Sequence, residues 1–532
     1  MAELNHLTQP TTVVAGTTPT QQRRHAIPTR GMQSVPSAPF VEGRFGRMFR
    51  NLPVFDPADR DLEALAAKMI QPQENDKDPE KPDDDENLEI PAGYTYLGQF
   101  IDHDITFDPV SSLQRQNDPD ALVDFRTPRF DLDNLYGRGP DDQPYLYQAD
   151  GVKLLTGKAV SSDREISGPD LPRNLAGRAL IGDPRNDENK IVSQLQSLFI
   201  RFHNAMADLV AKETNFSNGD LLKECQKRVR WHYQWIVIHD FLPRILAGRN
   251  ISAGEEIIRS ILAPQEFLAG IKHGAICKSE VLRPSLKFYS WREQPFIPVE
   301  FSVAAYRFGH SMIRPRYFFN DKIRQPKQAA AFGRTPIFSL SPDPTANMNS
   351  FQPLPADWGF QWKYFFEVGG SAPDFAKFRL PQPSYKIDTQ LPFPLENLPS
   401  PILAVSDKIR SLAERNLKRG KALGLPCGQD VARAMGIAPL TTKDLELDKI
   451  GLAGSSIDGN TPLWFYILKE AETLGAGNHL GPVGGRIVAE VIIGLLWGDP
   501  FSYLRVQPNW IPNLADMTGK FSMAEFINFA LS

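Results

Sequence analysis

The chain has 532 residues, 41% apolar and 23% charged, an ordinary balance for a globular protein of about three domains or one large catalytic unit. Lys and Arg number 59 against 63 Asp and Glu, a net charge of −4, which excludes the basic excess of a general nucleic-acid binder. Three cysteines (Cys225, Cys277 and Cys427) cannot build a disulfide framework, and the longest apolar stretch, Ile487 to Trp497, contains Glu490 and is about half of the ~20 residues that a bilayer crossing needs.

In chain order, residues 1–40 are rich in Thr, Gln, Pro and Ala, without periodicity, and read as a disordered arm. They lack the basic start and apolar core of a secretory leader. Residues 41–532 read as one domain. Within it, Gln71 to Glu89 carries prolines among like charges and reads as an acidic solvated loop. Apolar residues at 191, 195, 198, 199, 202, 206 and 209 predict a helix over Ile191 to Ala211. Glu224 to Gly248 repeats the pattern and closes on glycine. Lys408 to Lys421, Pro462 to Leu474 and Arg486 to Trp497 are similar. Strand signals are short, and 45 prolines predict long ordered loops. The fold class is therefore mainly α, one large helical domain with Pro-rich loops and little β.

Two glycine-rich stretches and one histidine pair are set aside. Gly454 to Thr461 has phosphate-loop spacing, but Asn460 stands where Lys is needed. Gly475 to Gly481 follows a helix rather than a strand and misses the dinucleotide pattern. His232 and His239, seven apart on one helix, read as structural.

The segment Gly98 to Pro109, GQFIDHDITFDP, is the most informative. On a helix Gln99, Asp102 and His103 share a side. Apolar Phe100, Ile101, Ile105 and Phe107 surround them, so the cluster is expected to be buried and to need partners. With four further blocks, namely TPRFDLDNLYG (127–137), GDPRNDEN (182–189), VAAYRFGH (303–310) and RNLKRGKALGLP (415–426), the chain resembles the animal-type haem peroxidases of the peroxidase–cyclooxygenase superfamily from about Tyr94 to Leu504. With so few cysteines it looks like a bacterial-type member.

That resemblance implies a set of roles. His103 is the distal base that takes a proton from hydrogen peroxide and returns it to the leaving oxygen, which suits an imidazole. Arg185 offsets charge on that oxygen, and Gln99 hydrogen-bonds water or halide. Asp102 and Glu188 match the carboxylates ester-linked to haem methyls, so the cofactor is expected to be a covalently attached haem b derivative. Asn189 follows Glu188 where a sulfonium link would need Met. His310 is the haem-iron ligand and Asn416 the acceptor for its other ring nitrogen. Arg307 and Arg419 match arginines near the propionates. The resemblance also implies a calcium loop, built from Asp104, Thr127, the main-chain carbonyl of Arg129, Asp131 and Asp133.

The activity implied is a haem peroxidase that reduces hydrogen peroxide through a ferryl intermediate and oxidises halide, thiocyanate or a small organic donor, in a setting of oxidative stress. Two alternatives are a fatty-acid dioxygenase and a haem-binding protein without turnover. The dioxygenases carry a radical tyrosine three residues before the proximal histidine. Here that position is Arg307, and the adjacent Tyr306 would sit about 100° away on an α-helix. Retention of both His103 and Arg185 argues against mere binding. No nucleic-acid partner and no transmembrane segment are expected. The location expected is cytoplasmic, or exported without a leader. Oligomeric state and the physiological donor are not legible.

Overall fold

The structure, a computed structural model, describes residues 43–72, 83–107, 123–124, 126–162, 168–262, 284–291, 294–323, 334–368, 380–399 and 409–532. The N-terminal arm, residues 73–82 of the acidic stretch, Asp108, Pro109, Cys277 and Lys408 lie outside the described residues. The fold is mainly α. Strands among the described residues are short: β1 (Gly43–Gly46), β2 (Glu86–Pro91), β3 (Val123–Asp124), β4 (Ile297–Pro298), β5 (Arg316–Tyr317), β6 (Thr335–Pro336) and β7 (Pro383–Tyr385). β1 lies between β3 and β4, β5 pairs with β6, and β2 pairs antiparallel with β7.

β2 shortens the predicted acidic loop. Glu86 is buried and bonded to the equally buried Arg314 at 2.8 Å, so the stretch read as solvated to Glu89 enters the core at its end. Charge counting missed this because the partner lies far along the chain. β2 leads directly into α1 (Gly93–Ile105), which carries the polar cluster. There is no room for a side chain at residue 93, where a Cβ would stand 2.5 Å from the Phe365 carbonyl.

The other site-bearing helices are α2 (Asp133–Tyr136), α3 (Lys190–Glu213), α4 (Asn218–Ile236), α5 (Leu242–Ala247), α6 (Leu412–Ala422), α7 (Leu463–Gly475), α8 (Pro482–Gly498) and α9 (Met523–Leu531). The Asn189 side chain caps α3 by accepting from the Ile191 and Val192 amides, at 3.1 and 2.9 Å. α3 packs against α1, α4 and α9, so it is buried on more than its apolar stripe. Its buried Gln194 and Ser197 donate to the Pro169 carbonyl.

The helix predicted over Glu224 to Gly248 starts earlier and is interrupted. A π turn, Val237–Phe241, separates α4 from α5. Pro243 stands just beyond it, where the missing N–H and the ring would break a regular α ladder. Gly248 ends the run at φ 59°.

Buried carboxylates hold loops to helices. Glu300 accepts from the Met48 and Phe49 amides at 2.9 and 3.0 Å. Glu490 accepts from Lys287, Phe288 and Tyr289. Glu470, on α7, accepts from Val483 and Gly484 at the start of α8. Burial pushes the Glu470 carboxyl up to about 7 despite those amides. An unfolded glutamate titrates near ~4.3, so the native state holds this proton more tightly. The resulting stability is complete below about pH 4 and is lost as pH rises through about 7. Glu470→Gln should therefore reduce the fall in urea-unfolding free energy between about pH 5 and pH 8 by roughly 3 kcal/mol relative to the parent. Parallel pH profiles for the two proteins would contradict this.

Candidate functional site

A cavity of about 300 Å³ is lined by two groups of residues that are distant in sequence. α1 supplies Gln99, Asp102 and His103 to the first group, and the turn before α3 adds Arg185, Glu188 and Asn189. The second group holds Tyr306, Arg307 and His310, and apolar Met312, Ile337 and Leu398 extend the lining.

His103 is buried and its Nδ1 lies 2.7 Å from Asn186 Oδ1. An amide oxygen only accepts, so Nδ1 carries the proton. Burial, reinforced by the neighbouring Arg185 guanidinium, lowers the imidazole to about 3 and keeps it neutral. Arg185 is itself fixed. Its Nε and Nη2 donate to Asp183, and Nη2 also donates to the His103 and Thr106 carbonyls. The guanidinium lies over the Phe107 ring at 4.6 Å. Burial opposes the charge on Asp183, but Arg185 and Arg126 hold its carboxyl well below the usual range.

The remaining polar groups interlock. Gln99 Nε2 donates to Glu188, and Asn189 Nδ2 donates to Gln99 Oε1 at 3.2 Å. Thr106 Oγ1 donates to Asp102 Oδ1 at 3.1 Å. Burial lifts Glu188 to about 7, partly offset by Arg185. It raises Asp102 as well, against Arg185 and Arg307.

In the second group a π turn, Glu300–Ala304, passes into a 3-10 turn, Ala305–His310. Two expectations change here. Tyr306 was expected about 100° from the radical-tyrosine position on an α-helix. It nevertheless lines the cavity, its hydroxyl buried and without a hydrogen-bond partner among the described residues. Every residue from Tyr306 to His310 lines it, so the rotation between neighbours does not carry Tyr306 out of the cavity. Asn416, on α6, does meet His310, but Nδ2 is the atom 2.8 Å from His310 Nδ1. Its Oδ1, the expected acceptor, receives Arg307 Nη1 at 3.0 Å. The competing guanidinium is the reason, and Arg307 is tied further by Nε to the Ser302 carbonyl at 3.0 Å. Arg419 lies one turn along α6 from Asn416 and does not line the cavity.

Asp104, Asp131 and Asp133 bring carboxylate oxygens within 4.8 Å of one another. Among the described residues, one oxygen each of Asp104 and Asp131 has no hydrogen-bond partner, and Asp133 Oδ1 meets only Arg126, at 3.3 Å. Thr127 Oγ1 donates to Asp131 at 2.8 Å. The Arg129 side chain turns to Asp499 at 3.6 Å, leaving only its main chain for the cluster. Burial, then mutual repulsion, pushes Asp104 well above the ordinary carboxylate range, and burial lifts Asp133 to about 7. Buried like charges with free oxygens are what a hard cation would satisfy.

The animal haem peroxidase family model matches residues 112–446. The chain belongs to the animal haem peroxidase family. Mouse eosinophil peroxidase is 25% identical over 350 residues, 63% of this chain and 41% of its own length. Human thyroid peroxidase is 26% identical over 282 residues, 52% of this chain and 24% of its own length. The chain thus spans well under half of these curated relatives. Among solved structures, peroxidase A from Dictyostelium discoideum superposes with a TM-score of 0.57 at 16% identity, covering 95% of this chain and 94% of that one. Fatty acid alpha-dioxygenase from Arabidopsis thaliana does so with 0.56 at 16% identity, covering 94% and 77%. At such identity these show a shared fold.

An animal haem peroxidase implies haem, and the cavity suits it. Two imidazoles, cations and apolar side chains occur in one lining, as a porphyrin with propionates requires. The family match begins at residue 112, after His103. The segments set aside stay outside the cavity. Gly454 to Thr461 and Gly475 to Gly481 are turns. His232 Nδ1 bonds to the Arg228 carbonyl, and His239 stacks on Trp235 and meets Tyr503.

Sequence reading missed Asn186, Gln196, Asp183 and Arg126. Asp183 and Asn186 lie inside a quoted block, flanking Arg185, and that was the available signal. Replacing Asp183 by Ala would strip the buried carboxylate from two guanidiniums. The expected loss in urea-unfolding free energy is about 3–5 kcal/mol. A change under about 1 kcal/mol would show that Arg126 and Arg185 find other partners.

Proposed function

We propose that this animal haem peroxidase domain reduces hydrogen peroxide and oxidises halide, thiocyanate or a small organic donor. The observation that supports the reading is His103, buried, neutral and held through Nδ1, in the lining of the same cavity as His310. Bound haem would supply the redox centre, with His310 as its iron ligand once the Asn416 amide turns its oxygen to Nδ1, because an NH₂ donating there leaves the ring proton on Nε2. His103 accepts a proton from peroxide and, being a weak base in this setting, gives it readily to the departing oxygen. Arg185, immobilised by Asp183, presents positive charge toward the developing anion without reorganising. Gln99 orients water or a small anion, and Arg307 compensates propionate charge. Asp102 and Glu188 are the carboxyls that form esters to haem methyls. These two side chains would hold the group covalently, each ester replacing one methyl C–H bond and one carboxyl O–H bond, with hydrogen peroxide as the two-electron acceptor that is reduced to water. Asp104, Asp131 and Asp133, with Thr127 and the Arg129 carbonyl, hold calcium and so fix the helix end beside His103.

The Tyr306 hydroxyl supports a second reading, fatty-acid dioxygenation by a tyrosyl radical. Oxygen uptake with linoleate that Tyr306→Phe abolishes would favour it over peroxidase turnover.

With one equivalent of peroxide the haem-loaded protein should show a fast change in its Soret band. His103→Ala should slow that change about 10²–10⁴-fold with haem retained. Equal rates would remove His103 from the mechanism. Intact-mass spectrometry under denaturing conditions, after peroxide, should find the haem mass on the chain, and on Asp102→Val/Glu188→Gln it should not. Free haem from the parent protein would refute the esters. Chelation should lower the thermal midpoint by several degrees, with calcium restoring it. A midpoint indifferent to both would refute the cation site.

A further inference from the structure

The hydrogen bond on His103 is the end of a directed chain. Asn186 Nδ2 donates to Gln196 Oε1 at 2.7 Å, and Gln196 Nε2 donates to the Asn134 carbonyl at 3.3 Å. Asn134 in turn donates from Nδ2 to the Phe100 carbonyl at 3.4 Å. Asn186, Gln196 and Asn134 are all fully buried, so none can exchange these partners for water.

The direction of the chain is determined at its far end. A main-chain carbonyl only accepts, so Gln196 must turn its NH₂ to Asn134 and its oxygen to Asn186. Asn186 must then turn its NH₂ to Gln196 and its oxygen to His103. His103 is left with one choice, to donate from Nδ1. A neutral imidazole that donates at Nδ1 has an unprotonated Nε2.

We propose that Asn186, oriented by Gln196, is a positioning residue that fixes His103 in the tautomer whose Nε2 lone pair serves the cavity. The inference deepens the reading of His103 as proton acceptor and rests on it. Without the relay the two neutral tautomers would compete, and the one with the proton on Nε2 cannot accept from peroxide. The chain starts at Asn134 on α2, next to Asp133. The fold thus connects the acidic cluster to the distal histidine by a path separate from Asp104.

The alternative is that these amides only satisfy one another in the core. Hydrogen cyanide and carbon monoxide separate the two roles. Hydrogen cyanide binds through carbon as its proton passes to a base in the cavity. Carbon monoxide, on the reduced protein, binds without any proton transfer. In Asn186→Leu, cyanide association with the haem-loaded protein should slow about 10–100-fold, while carbon monoxide association and haem content stay at parent values. Asn186→Asp, which keeps an acceptor in place, should recover most of the cyanide rate. Gln196→Leu, which does not touch His103, should slow cyanide in the same selective way. It carries the comparison if Asn186→Leu does not fold. Unchanged cyanide rates, or equal slowing of both ligands, would overturn the relay. A haem-loaded parent that neither binds cyanide nor reacts with peroxide would instead refute the reading of His103, and the relay with it.

Discussion

One buried carboxylate, Asp183, ties the distal half of the cavity together. It binds Arg185, which reaches back to the main-chain carbonyls at the end of α1, and Arg126, which reaches Asp133 in the acidic cluster. Three segments far apart in sequence are thereby locked around His103. The adjoining Gly182 lets them close up, since a Cβ there would stand 2.5 Å from the Asp133 carbonyl. Ions so buried stay charged only because each is paired, so the arrangement is all or nothing.

The same economy runs through the cavity. Burial raises Asp102 and Glu188, depresses His103, and is opposed by Arg185 at both carboxyls. A neutral imidazole beside an immobile cation is a reasonable setting for moving a proton between two oxygens. The acidic cluster lies outside this balance. Arg126 and Arg230, which donates to the Asp131 carbonyl, compensate it only in part.

The helices were legible because burial imposes a period of 3.6 on apolar residues. α3, α7 and α8 fall where the sequence predicts them, to within a few residues. Family membership was legible because the motif blocks keep their residue types and spacing. Glu86 was not legible, because its partner Arg314 lies beyond any local window. The π and 3-10 turns were not legible either, because apolar spacing does not distinguish the windings of a helix. Tyr306 was expected about 100° from the radical-tyrosine position, yet it lines the cavity together with every residue down to His310. Asn416 was placed correctly, but its orientation depends on Arg307, whose claim on the amide oxygen only the fold reveals. Asn186 was visible only as a neighbour of Arg185 in a motif block, and Gln196 not at all, since an amide acquires a role only through the partner at each end.

The central claim is that the two imidazoles face one haem and that only His310 binds its iron. ¹⁵N-histidine hyperfine coupling at the ferric iron, measured in the parent, His103→Ala and His310→Ala, tests it most directly. One coupled histidine nitrogen should appear in the parent and in His103→Ala, and none in His310→Ala. Coupling that survives in His310→Ala, or that disappears with His103, would contradict the account.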